Sequence, residues 1–161
     1  MIRVTDQYFW NFVFSLFFLV IVIMAAIILE SESRIPLGEL TLVDCVLITL
    51  ATWRLIRLFV YDAITKFFRE QFYDVVKIGK SYELVKPESG PRRTVADLLS
   101  CPWCFGVWAA AVVVFFYLIT PYTVYPVVFL ALSAVATLLQ LIANMVGHAA
   151  ERLKQINEKG V

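Results

Sequence analysis

Four long apolar runs divide the chain. From Trp10 to Leu29 no charge interrupts the sequence, and about 20 such residues are what a helix needs to cross a ~30 Å hydrocarbon core. A second run, Thr41 to Val60, carries Asp44, Arg54 and Arg57. A third, Cys104 to Thr120, extends backwards through Pro102 and Trp103, and a fourth covers Val124 to Val146. The turn between them, "TPYTVYP", is too short for anything but a hairpin between antiparallel helices. The pattern predicts an all-α integral membrane bundle of four transmembrane helices, at about 10–29, 41–60, 102–120 and 124–146. Residues 1–161 then form a single membrane domain, with a middle segment 61–100 and a tail 147–161. For the first run a cleaved signal peptide is the competing reading, but its apolar region is usually 7–15 residues behind positive charge. Here the run is longer and only Arg3 and Asp6 precede it, so a retained helix is expected.

Within "YDAITKFFREQFYDVV", Ile64, Phe67, Phe68, Phe72, Val75 and Val76 recur at steps of three and four, with Lys66, Arg69, Glu70 and Asp74 between. This predicts an interfacial amphipathic helix lying on the inner leaflet; a continuation of the second span puts the same residues near the headgroups. The following "KIGKSYELVKPESGPRR" reads as loop, with Gly79, Pro87, Gly90 and Pro91 as breakers. Thr94 with Asp97 resembles a capping box that opens a short helix before the third span.

Composition agrees with a membrane protein. The chain is 61% hydrophobic and 17% charged, against roughly 45–50% apolar in soluble domains, and its mean hydropathy is +0.80. A net charge of +1 gives no field that would draw the protein to nucleic acid, so the expected partners are membrane lipids or further copies of the chain. Lys and Arg are distributed asymmetrically. Only Arg34 lies between Glu30 and Leu40, whereas Lys66, Arg69, Lys77, Lys80, Lys86, Arg92 and Arg93 fill the middle segment, and Arg152, Lys154 and Lys159 the tail. Under the positive-inside rule both termini face the cytoplasm, in the cell inner membrane.

The charges inside the second span are the first candidate chemistry. Counted from mid-span, Arg54 lies ~5 Å and Arg57 ~10 Å from the bilayer centre towards the cytoplasm. An arginine near the centre costs about 2.5–3.5 kcal/mol on insertion scales and should face the bundle interior with a partner. Ser133, Thr137, Gln140, Asn144 and His148 form a polar stripe on the fourth span, with Gln140 and Asn144 expected at the depths of Arg54 and Arg57. Such groups commonly bond neighbouring helices for about 1 kcal/mol each. The functional alternative is a cavity lined by Arg54, Arg57, Gln140 and Asn144 that accepts an anion or a lipid phosphate.

The second candidate is the thiol pair in "LLSCPWCFGVW". Pro102 suits the first position of a helix, which places Cys101 at the cap and Cys104 in the first turn, where the helix dipole favours a thiolate. A membrane thiol oxidoreductase would need a second pair, and only Cys45 remains, near the opposite face. A structural zinc needs four ligands, and the chain offers only two thiols and His148, so a metal would require a second copy of the chain and no metal site is expected within one. Structural, redox and metal roles all stay open for the pair.

Taken in order, "ATWRLIRLFVYD", Arg69, Gly90–Pro91 and "LLSCPWCFGVW" resemble a bacterial and phage family of small membrane proteins catalogued as a domain of unknown function, which includes sporulation-associated members. The resemblance covers about residues 41–120. It implies membership and marks Arg54, Arg57, Asp62, Arg69, Cys101, Cys104, Gly106 and Trp108 as motif positions, with no activity or cofactor to carry over. With one histidine and no nucleophile–base pair the chain is a poor enzyme, and no catalytic residue is named. The expected function is a non-catalytic, oligomeric membrane component, with small residues such as Gly106 and Ser133 allowing close packing. A lipid- or anion-binding protein using the Arg54/Arg57 face, a thiol oxidoreductase and a phage holin-like protein are the alternatives.

Overall fold

The computed structural model describes residues 6–78 and 81–158; Arg3, Gly79, Lys80 and Lys159 lie outside the described residues. The order is α1 (Asp6–Glu32), α2 (Leu42–Ile56) running on into a π-helical turn (Arg57–Tyr61), α3 (Lys66–Glu70), β1 (Asp74–Ile78), β2 (Ser81–Val85), α4 (Pro91–Ser100), α5 (Pro102–Ile119) and α6 (Val124–Glu158). The protein is mostly helical. Asp6–Glu32, Pro102–Ile119 and Pro121–Asn157 are each long and apolar enough to cross a membrane, with mean hydropathies of 3.2, 2.0 and 2.2.

The start of α2 explains one of the charges in the second run. Thr41 caps the helix: the Asp44 amide donates to Thr41 Oγ1 at 3.3 Å, and the Asp44 carboxylate accepts from the Thr41 amide at 2.9 Å and hydroxyl at 2.6 Å. A carboxylate in the first turn also complements the helix dipole. The Tyr117 hydroxyl of α5 donates to the same carboxylate, so the cap doubles as a tie between helices.

Helix α2 is the centre of the bundle, packed between α5 and α6. Ile48, Ala51, Val113, Tyr117, Leu118 and Val127 form the core. Ala51, Ala131 and Ala134 are almost completely buried, because small side chains let the α2 and α6 backbones approach. Gly106 does the same between α5 and α2: a Cβ there would meet Ile56 Cδ1 at 3.1 Å. In contrast, no residue of α1 is buried. This helix meets α5 through Trp108, whose ring centroid lies 4.6 Å from that of Phe18 and 6.4 Å from that of Phe17. It meets α4 through Gln7 and Asn11, which share the Thr94 hydroxyl at 2.9 and 3.1 Å.

The middle segment differs from the sequence expectation, and the fold is not all-α. The helix covers only Lys66–Glu70, and an antiparallel hairpin follows, pairing Asp74 with Val85, Val75 with Leu84, Val76 with Glu83 and Lys77 with Tyr82. No continuous interfacial amphipathic helix is present. The apolar positions of 64–76 fit a helical period as far as Phe72, but Val75 and Val76 are β-branched and find partners across the hairpin. Helix α4 also begins earlier than expected. Gly90, at φ 99°, precedes Pro91 at the first helical position, so Thr94 lies inside the helix rather than at its cap.

Candidate functional site

Three of the sequence-marked residues meet at the end of α2. Arg54 Nη1 donates to Asp62 Oδ2 at 2.7 Å, and its Nε donates to Ser133 Oγ on α6 at 2.9 Å. The two ionised side chains are only 18% and 28% exposed, so this is a partly desolvated, charge-assisted contact. The π turn makes it reachable. Asp62 donates its amide to the Arg57 carbonyl at 3.0 Å, and the extra residue per turn resets the angular phase, returning Asp62 to the Arg54 side.

Arg69 acts on the same turn from below. Its Nη1 donates to the carbonyls of Phe59 at 2.9 Å and Asp62 at 3.2 Å, while the Thr65 hydroxyl donates to those of Leu58 and Asp62. The carbonyls that a helix end leaves unpaired are thus satisfied by side chains, one of them cationic, as the dipole favours. Arg57 is placed differently. Its guanidinium carbon lies 5.9 Å from the Trp53 ring centroid and 5.6 Å from that of Tyr61, within the range of cation–π attraction. Its buried Nε has no hydrogen-bond partner among the described residues.

Gln140 and Asn144 do not join this group. They are exposed and bond each other, Gln140 Nε2 to Asn144 Oδ1 at 2.9 Å. Ile48 and Val127 share the core, and Arg54 meets Ser133 further along, so α2 and α6 run side by side in one direction. Gln140 then lies ~10 Å beyond the level of Arg54. The expected depth match fails because α6 continues far past the bundle, so mid-span is a poor origin for counting.

The thiols sit at the start of α5. Cys101 is its N-cap, and its Sγ accepts the Cys104 amide at 3.2 Å. The hydrogen bond from the Cys104 side chain, then that from its amide, holds the Cys101 thiol below its ordinary pKa of 9.0. Cys45 lies far along α2: Ile56, which touches Gly106, is ~16 Å further on. No group of three His, Cys, Asp or Glu side chains able to hold a metal is found among the described residues.

A second polar network fixes the middle segment. Lys86 Nζ and Arg93 Nε both donate to the Asp97 carboxylate, at 2.7 and 2.9 Å, and Arg92 Nη1 donates to Asp74 at 2.9 Å. Burial pushes the Asp97 carboxyl up, but the two cationic donors outweigh it and hold the group below its ordinary 3.8. Sequence reasoning missed this network, along with Trp53 and Tyr61 around Arg57. The latter pair did leave a signal, since both are four residues from the arginine.

Residues 47–143 match the family described as "Protein of unknown function (DUF1360)". The chain belongs to this family. The match takes in the Arg54–Asp62 contact, Arg57, Arg69, both thiols of the pair, Gly106 and Trp108, and it reaches further into α6 than the sequence motifs suggested. Two curated proteins of Bacillus subtilis (strain 168) are similar. "UPF0713 protein YngL" is 31% identical over 105 residues, covering 65% of this chain and 81% of its own length. "Sporulation protein YjcA" is 29% identical over 106 residues, covering 62% of this chain and 89% of its own. No solved structure matches at a significant level.

Proposed function

We propose that this DUF1360 member is a four-span protein of the cytoplasmic membrane, with both termini in the cytoplasm, acting as a non-catalytic, self-associating membrane component. The observation that carries this reading is the Arg54–Asp62–Ser133 contact. It neutralises the deepest charge of the second run, since a paired and interior-facing arginine is tolerated where a bare one is not. The stretch from Leu42 to Tyr61 then crosses as one helical rod, with Asp44 spent on a cap at its outer end. The polar side chains of the motif serve the fold: Arg54 joins two helices, Arg69 closes a helix end, and Cys101 opens one. The name of one relative, "Sporulation protein YjcA", points to sporulation as the process served. Reporter fusions test the topology. A fusion after the last residue is expected to be active inside the cell, and one between Ile35 and Pro36 outside; the reverse pattern, or activity of both on one side, overturns it.

A second reading is favoured by Arg57. Helical spacing puts it about 180° from Ile48 of the core, so it faces lipid within a long side chain's reach of the headgroups, clasped by Trp53 and Tyr61 and with no carboxylate partner among the described residues. We infer that it holds the phosphate of an inner-leaflet phospholipid. Native mass spectrometry with phosphatidylglycerol is expected to show retained lipid on the parent and loss of it on Arg57→Gln. Equal retention on both sinks this reading and leaves the scaffold reading standing.

A further inference from the structure

Every residue of α6 from Leu138 to Asn157 is exposed, although this stretch is one unbroken helix with the part packed in the bundle. Leu138, Leu141 and Met145 widen its apolar face nearest the bundle, and one seam runs its whole length. Leu139, Ile142, Val146, Ala149, Leu153 and Ile156 follow one another at steps of three, four, three, four and three. That is a period of 3.5 held along the whole projecting length, the seam of a left-handed coiled coil rather than the 3.6 of a helix lying against a surface. Five of these six are large and stand 46–64% exposed. Gln140, Asn144, Glu151 and Gln155 occupy the opposite side. Ala143 and Ala150 flank the seam, so nothing bulky or charged keeps a partner away on that edge.

We propose that this seam binds the same seam of a second copy, making α6 a parallel coiled coil that begins at the inner membrane face and projects into the cytoplasm. The occupant follows from membrane symmetry. Copies inserted with one topology are related by an axis along the membrane normal, so their α6 helices leave the bilayer side by side, in the same direction and in register. A parallel, in-register heptad seam is what each then meets. A different partner would need a matching heptad of its own, whereas a second copy carries one at the same height. Ion pairing across the seam is not required, since Arg152 is the only charge flanking it. The proposal rests on the four-span reading for the shared direction of the copies, and identifies the surface through which the component self-associates.

In-register pairing brings each seam residue opposite itself, so one cysteine per chain reports contact. The three native cysteines are first changed to serine; at position 101 serine keeps the helix cap, as its oxygen is a better cap acceptor than sulfur. Ala149→Cys on the seam is expected to give an oxidised, disulfide-linked dimer in intact membranes, while Glu151→Cys on the outer side remains a monomer. In the otherwise native chain, Leu153→Asp is expected to reduce the detergent-solubilised particle to a single copy with unchanged helix content, because Leu153 has no role in the bundle. Equal crosslinking at both positions, no crosslinking at Ala149→Cys, or an unchanged particle mass for Leu153→Asp overturns the proposal. The topology fusions fail independently of these outcomes, so a wrong orientation and a wrong seam are told apart.

Discussion

Arg54 concentrates the energetics of the site in one side chain. Replacing it by alanine leaves Asp62 partly buried and unpaired, a loss of about 3–5 kcal/mol for such pairs. Arg54→Ala should therefore melt well below the parent in detergent and give less folded protein. Arg54→Lys keeps the charge opposite Asp62 but cannot also donate to Ser133, which removes one hydrogen bond worth about 1 kcal/mol. Thermal melts of the two variants should fall in that order, and an Arg54→Ala melt equal to the parent refutes the contact. The pairing with Asp62 was half legible in the sequence: an arginine deep in a span requires a partner, and Asp62 is the nearest carboxylate along the chain. The π turn that brings it round was not legible, because a widened turn carries no composition of its own. Ser133 was visible as part of a polar stripe, yet its level was not, since α6 continues beyond the bundle.

Among the elements, the hairpin and α4 depend on Asp97. Its folded pKa lies below 3.8, so the contribution of its contacts is fully present above that value and is lost as the pH falls through the lower, folded value. Pepsin, active in acid and selective for aromatic residues and leucine, should leave the connection through Tyr82 and Leu84 of β2 intact near pH 4 and cut it at lower pH. In Asp97→Asn the connection should be cut at both, and cutting of the parent already at pH 4 would contradict the network. The start of α5 was readable, because Pro102 has a fixed positional preference, whereas that of α4 was misread, because Thr94 with Asp97 imitates a cap and Gly90–Pro91 opens the helix before it. The hairpin was the least readable. Short apolar runs such as Val75–Val76 satisfy either period, and register is decided by a partner strand that composition had marked as loop.

At the scale of the whole molecule, the four apolar runs and their order were evident from length and hydropathy alone. Their packing was not: nothing in the runs themselves says that α2 should be central and α1 peripheral. That difference has a consequence for change over time. Since α1 buries no residue, lies outside the stretch matching the family, and touches the rest through Trp108, Thr94 and a half-buried Leu29 at the edge of the core, the other helices owe it little of their stability. A chain beginning at Ser33, which keeps Ile35 and Leu40 on the core and the Arg34 amide on the Leu118 carbonyl, should insert and melt close to the full-length protein, as read by the same detergent melt; a collapse would show α1 to be integral. The first helix is in this sense a detachable module, free to be exchanged, lengthened or retargeted while the body behind it keeps its packing solution unchanged.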